Sequence, residues 1–317
     1  MKSFLLGAWC AGAAYASGHG NRGHTGARTS GPRIALVADE LTRAALHAQA
    51  RVVDLVPHGL SNVLLRQRPD FLLVESAWSG WCNTWKYQVA QYPDHRERNN
   101  AALVRLVSAA RDLGIPTVFW NKEDGVHFDR FIETARHFDY VFTVDSNCLP
   151  RYEAKVPAGT RLGTLMFAVQ PKFHHFSGFN FVKRVANFVG SYSHHVHERR
   201  RQWQDLLFRE AASTLGLTIF DRNSTRSAHH YRYPALPGTE VHKAVPYQAT
   251  GRIYKDHLVS LNVNTVEDSP TMFSRRLVEI LACGGIAVTN PTLAVSCLFA
   301  EYCHVITSPE DGRDLFI

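Results

Sequence analysis

The strongest constraint on this chain is an alternation that begins at Pro32. Short runs rich in β-branched or aromatic residues, at 33–38, 52–56, 71–74, 117–120, 140–144 and 164–169, are separated by segments of helical period at 41–50, 60–68, 99–113 and 128–137. Strands that are apolar on both faces and alternate with helices predict a parallel sheet covered on both sides. Gly114-Ile115-Pro116 stops the third of those helices one step before a strand, as a short helix-to-strand connection requires.

The pattern breaks over 170–183, which carries Pro171, two histidines, Gly178 and several aromatics, and then starts again. Strands are expected at 185–189, 217–221, 257–263, 285–289 and 304–306, with helices at 198–215, 273–283 and 293–299, whereas 222–250 shows no clear period and reads as loops with one short helix. The expectation is therefore two Rossmann-like domains facing a central cleft: a leader and linker over 1–31, a first domain over 32–171, a linker over 172–182 and a second domain over 183–317.

Composition supports a folded chain and narrows its chemistry. Of 317 residues, 45% are hydrophobic and 20% charged, which excludes a disordered or collagen-like chain, and no run beyond the first twenty positions is long and apolar enough to span a membrane. The net charge of +7 favours anionic partners. Its densest point, Arg199-Arg200-Arg201, reads as a solvated helix face, and without a nucleic-acid-binding motif no nucleic-acid partner is expected. Six scattered cysteines with no C-x-x-C pair read as reduced thiols of a cytoplasmic protein, and the histidine doublets lack the spacing of a metal site. The stretch 1–16 imitates a secretory signal, although Lys2 is its only n-region cation.

Ligands of open parallel sheets bind beyond the carboxyl ends of the strands, which directs attention to four loops. Gly190-Ser191-Tyr192 follows a strand and either brings backbone amides to an anion or makes an ordinary turn. The segment 264–285 carries a helix start near Phe273 and Ser274, with Arg275 and Arg276 in its first turn. Cations are unfavourable at that end of a helix, so their presence suggests an anionic ligand. Glu279, four residues after Arg275, either forms an intrahelical ion pair or bonds ribose hydroxyls. Asn121–Asp124 and His127 follow a strand of the first half; Asp124, His127 and Glu123 are candidates for a general base, and Asp124 could equally cap the next helix. Glu75 and Trp78 sit on the fourth loop, where the indole either stacks on a sugar or packs inward.

The run "SPTMFSRRLVEILACGGIAVTN" resembles the nucleotide-sugar segment of GT-B glycosyltransferases, and most closely the CgeB-like, spore-maturation-type branch, in which an arginine-bearing helix ends in E-x-x-A-C-G-G. "RIALVADELT", "PDFLLVESAWSGW", "IPTVFWNKEDGVHFDRF" and "FDYVFTVDSNCLPRY" are similar to the same branch. The resemblance implies a nucleoside-diphosphate sugar donor, UDP-linked, and a glycan, protein or lipid-linked acceptor. It places Glu279 on the ribose, Arg275 or Arg276 on the diphosphate with the amides near Phe273 and Ser274, and Gly190, Ser191 and Tyr192 on the donor side. No metal or other cofactor is implied, since a D-x-D motif is absent. Gly125 stands where relatives carry proline, which bears on the placement of Asp124. The expected location is cytoplasmic, with the inner face of the membrane as an alternative and export directed by the stretch 1–16 left open. A nucleotide-sugar epimerase of the same architecture and an inactive sugar-nucleotide-binding subunit are the rival readings. The resemblance also leads one to expect further helices after Ile317.

Overall fold

The computed structural model describes residues 31–58 and 60–317. The expected leader and linker lie, apart from Gly31, outside them. The chain divides into two compact units, Met1–Met166 and Phe167–Ile317. Each is a six-stranded, all-parallel sheet with helices, so both halves are Rossmann-like, the α/β class that the sequence predicts.

The first unit runs β1 (Arg33–Val37), α1 (Glu40–His47), β2 (Arg51–Asp54), α2 (Leu60–Gln67), β3 (Phe71–Glu75), α3 (Ala101–Asp112), β4 (Thr117–Asn121), α4 (Phe128–Ala135), β5 (Tyr140–Thr143), α5 (Leu149–Glu153) and β6 (Arg161–Thr164). Its strand order, β2-β1-β3-β4-β5-β6, reverses direction between β1 and β3. Beyond that switch point the strand ends diverge and leave room for a ligand. Leu72, Val74, Phe119 and Val141 from the sheet meet Leu103, Phe131 and Phe138 in the core. Gly114 ends α3 at φ +68°, with Ile115 N–H returning to Ala110 O at 2.9 Å. The last strand departs from expectation: Arg161–Thr164 pairs with β5, and the apolar run that follows lies outside the sheet.

The second unit runs β7 (Lys183–Gly190), α6 (Glu198–Thr214), β8 (Leu217–Asp221), β9 (Thr239–Lys243), α7 (Thr250–Asp256), β10 (His257–Leu261), α8 (Arg275–Ala282), β11 (Ile286–Thr289), α9 (Leu293–Leu298), β12 (His304–Val305) and α10 (Pro309–Phe316). Here the order is β12-β11-β10-β7-β8-β9, with the switch between β7 and β10. Phe188, Ile219 and Leu261 pack against Trp203, Leu207 and Phe208 of α6. The strand β9 and the helices α7 and α10 were not anticipated from the sequence. Ser308 and Asp311 close α10 with a capping box.

Candidate active site

The switch point of the second unit gathers arginines. Arg276 donates from Nε to the carbonyl of Val189 at 2.6 Å, and its guanidinium lies over the Phe188 ring at 4.4 Å. Its Nη1 is buried without a partner. A side chain at Gly190 would put Cβ 2.8 Å from Arg276 Nη2, so glycine is what allows the guanidinium to rest against the end of β7.

Two further arginines converge here. Arg222 follows β8 and donates its backbone N–H to Gly190 O at 2.8 Å. Arg200, in the first turn of α6, reaches back to Ser191 O at 3.4 Å, while its Nε is buried and unpartnered. Burial brings the Arg200 pKa down to about 10, with repulsion from Arg276 and Arg222 adding to the effect. Burial likewise lowers Arg276. The hydroxyl of Tyr233 lies nearby, also buried without a partner. Like charges held together in a dry site are costly unless an anion neutralises them, and forked guanidiniums suit a diphosphate.

Glu279 completes the group from α8. It is 5% exposed, and its Oε1 has no hydrogen-bond partner. Burial raises its pKa; Arg275, Tyr247, Arg276 and Arg222 oppose the rise. Arg275 lies over the Phe167 ring at 5.0 Å, and its charge favours the ionised form of Glu279. A carboxylate oxygen that is buried and unbonded is an acceptor waiting for a donor hydroxyl.

Other residues singled out in the sequence take different positions. Phe273 is buried, edge-on to Phe167 and Phe299. Ser274 is the N-cap of α8, but its hydroxyl makes no cap bond and its N–H is taken by Asn264 Oδ1 at 2.7 Å. Asn264 is in turn fixed by Asn262, Thr289 and Asn290. Tyr192 is buried and donates its hydroxyl to Asp205 at 2.6 Å, so it supports α6 from within the core. Ser191 contributes its carbonyl, which accepts from Gln204 as well as Arg200.

In the first unit the switch point holds a lysine-centred carboxylate cluster. Lys122 Nζ lies 2.9 Å from Glu75 Oε1 and 3.4 Å from Asp39 Oδ2. Asp39 also accepts the backbone N–H groups of Trp78, Ser79 and Gly80 at 2.8–3.0 Å. Burial alone would raise the Asp39 pKa, but Lys122 and those three donors hold it below the usual value. Glu75 is fully buried, and its Oε2 is unpartnered.

Glu123 is half-buried beside this cluster, its pKa raised by burial against the pull of Lys122 and a bond from Trp78. His127 stands at the N-cap position of α4 without a side-chain capping bond and lies edge-on to Trp78 at 5.2 Å; burial and Arg130 lower its pKa. Trp78 also meets Phe131 at 5.2 Å, which anchors the indole by one edge against α4. Asp124 points inward. It is fully buried, accepts from Asn121 Nδ2 at 2.6 Å and Tyr152 OH at 2.9 Å, and does not cap α4. Burial lifts its pKa to about 7.

The sequence reading missed Arg200, Arg222 and Tyr233 in the second unit and Asp39 and Lys122 in the first. Each of these except Tyr233 lies within four residues of a strand's carboxyl end or in the first turn of the following helix. Position relative to the strands was the available signal. Among the described residues, no group of three or more His, Cys, Asp or Glu side chains is placed to hold a metal ion, and no helix is long and apolar enough to cross a membrane.

No curated protein sequence matches the chain. Among solved structures, T4 phage BGT in complex with UDP and Mn2+ is 11% identical, with a TM-score of 0.49 over 89% of this chain and 87% of that one. The lipopolysaccharide outer core galactosyltransferase WaaB, in its apo form, is 10% identical, with a TM-score of 0.41 over 82% and 81%. The UDP-GlcNAc 2-epimerase of Methanocaldococcus jannaschii, in complex with UDP-GlcNAc and UDP, is 8% identical, with a TM-score of 0.42 over 90% and 91%. Within the chain, residues 194–315 match the family profile described as glycosyl transferase-like, a span that holds Arg200, Arg222, Arg275, Arg276 and Glu279.

Proposed function

We propose that this protein is a GT-B glycosyltransferase of the CgeB-like kind, which moves a sugar from a nucleoside diphosphate, uridine-linked, to a hydroxyl of a glycan, protein or lipid-linked acceptor. The observation that carries the reading is the unbonded Glu279 Oε1 in the same buried neighbourhood as Arg276 Nη1 and Arg200 Nε, also unbonded. A nucleoside diphosphate answers all three: its ribose hydroxyl donates to the carboxylate, and its phosphate oxygens accept from the guanidiniums.

In the reaction, the acceptor O–H gives its proton to a base as its oxygen bonds the anomeric carbon. The bond from that carbon to the diphosphate oxygen breaks, and the leaving diphosphate takes the electron pair. Arg200, Arg222 and Arg276 meet the charge that develops there, so the arginines do what a metal ion does in other transferases. For the base we assign Glu123, with His127 as its neighbour. Glu123 reaches solvent and its raised pKa makes it a stronger proton acceptor than an ordinary carboxylate. Asp124, saturated by Tyr152 and Asn121, is given a structural role.

Titration calorimetry with uridine, guanosine, adenosine and thymidine diphosphates tests the donor site. One of them should bind, and Arg276→Ala with Glu279→Ala should weaken it at least about tenfold. Binding of none, or equal binding by the double variant, overturns the reading. Incubating the matching sugar nucleotides without acceptor separates the rival chemistry: slow hydrolysis fits a transferase, and conversion to an epimer overturns it.

A further inference from the structure

Every exposed phenylalanine of appreciable size on the second unit falls in one short segment. Phe176 is 55% exposed and Phe179 75%, with Val182 beside them at 67%. The rings form a ladder: Phe176 and Phe179 lie 5.1 Å apart, Phe179 and Phe181 5.7 Å. The ladder is held in place. Phe176 sits over Gly284, where any Cβ would come within 2.5 Å of its ring, and Phe181 N–H donates to Lys255 O at 3.0 Å.

Its place in the fold is the amino-terminal edge of the second sheet. Val182 leads into β7, where Lys183 pairs with His257, and Gly284 comes just before β11. The arginines and Glu279 gather at the opposite, carboxyl edge.

Charge around the ladder is one-sided. Lys172, Lys183, Arg184 and Arg252 are exposed and Lys255 is half-buried. The single acid in the same stretches, Asp256, is occupied by Asn180 at 2.6 Å and Arg252 at 3.2 Å. The exposed acids of the second unit lie in other stretches, at Glu198, Glu240, Asp268, Glu301, Glu310 and Asp314.

We propose that this edge is a docking surface for an anionic phospholipid bilayer, with Phe176, Phe179 and Val182 entering the interface and the lysines and arginines meeting the headgroups. Protruding side chains suit a deformable medium, since a rigid protein partner must offer a matching groove. The cationic surround selects acidic lipid. Docking by this edge leaves the carboxyl edge of the same sheet turned away from the lipid. The proposal does not depend on the transferase reading.

The test is co-sedimentation of the full chain with vesicles of phosphatidylcholine alone and of phosphatidylcholine with phosphatidylglycerol at about two to one. Partition should favour the anionic vesicles and weaken with salt. Phe176→Ser with Phe179→Ser, and separately Lys183→Glu with Arg184→Glu, should each lower it at least about tenfold. A thermal melt of each variant, unchanged from the parent, shows that the fold is kept. Equal partition of parent and variants, or of the two vesicle types, overturns the proposal. So does a dimer in light scattering that the phenylalanine variant abolishes, because a second copy would then be what covers the edge.

Discussion

Arg276 and Gly190 are a matched pair: the Nη2 of the arginine lies 2.8 Å from where a Cβ of the glycine would stand, and Phe188 Cε1 lies 2.5 Å from the same point. Neither neighbour can yield easily, because Arg276 Nε is bonded to Val189 O at 2.6 Å and Phe188 is buried in the core. Gly190→Ala should therefore push the guanidinium off the end of β7. Nucleoside diphosphate affinity should fall at least about tenfold, and stability by about 1–3 kcal/mol from overpacking. Calorimetry and a urea melt read the two effects separately.

Arg200 sets stability against binding. Its charge is half-buried beside Arg276 and Arg222, with Nε unbonded, so the empty site carries uncompensated repulsion. Arg200→Met keeps the aliphatic length and removes the charge. We expect the ligand-free protein to melt higher than the parent and to bind a nucleoside diphosphate more weakly, the usual trade at a functional site. A variant that melts lower, or binds equally, contradicts this role.

How far the sequence foretold these features depended on whether side-chain type and side-chain direction agreed. Strand-helix alternation was readable because β1, β3 and β4 are buried on both faces and are apolar along their middles, with polar residues only at their ends. The edge strands escaped for the opposite reason. β9, TEVHK, is almost wholly exposed and pairs on one side only. β6, RLGT, precedes a more apolar run that drew the prediction past it. In the arginine triplet, Arg199 and Arg201 are bonded at the surface, to Glu267 and to the His194 carbonyl, whereas Arg200 turns inward; composition cannot tell these apart. Tyr192 and Asp124 are the converse case, polar residues on site loops whose polar atoms are satisfied within the core.

Asp39 moors the loop that carries Trp78. One carboxylate accepts three successive backbone N–H groups and faces Lys122. Asp39→Ala strands those donors and should cost about 2–3 kcal/mol at neutral pH. Because the folded pKa is depressed, this contribution is fully present above the ordinary 3.8 and is lost as pH falls through the folded value. The stability difference between variant and parent should thus narrow on acidification, which urea melts between neutral pH and the acid limb would show.

Asp124 and Glu123 adjoin in sequence, yet their surroundings divide their roles. Asp124 is raised from 3.8 to about 7, so the folded protein binds its proton more tightly than the unfolded chain. Between those values the folded state holds more protons, and stability must fall as pH rises through the window. Asp124→Asn, neutral at every pH, should remove that part of the slope and leave the variant relatively more stable at pH 8 than at pH 4. Its kcat should stay within about threefold of the parent, since the side chain is enclosed by Tyr152 and Asn121. Glu123→Gln should do the reverse: little change in melting, and a fall in kcat of about a hundredfold or more, the usual contribution of a general base. A large loss of kcat in Asp124→Asn with its fold intact would instead assign the proton transfer to Asp124.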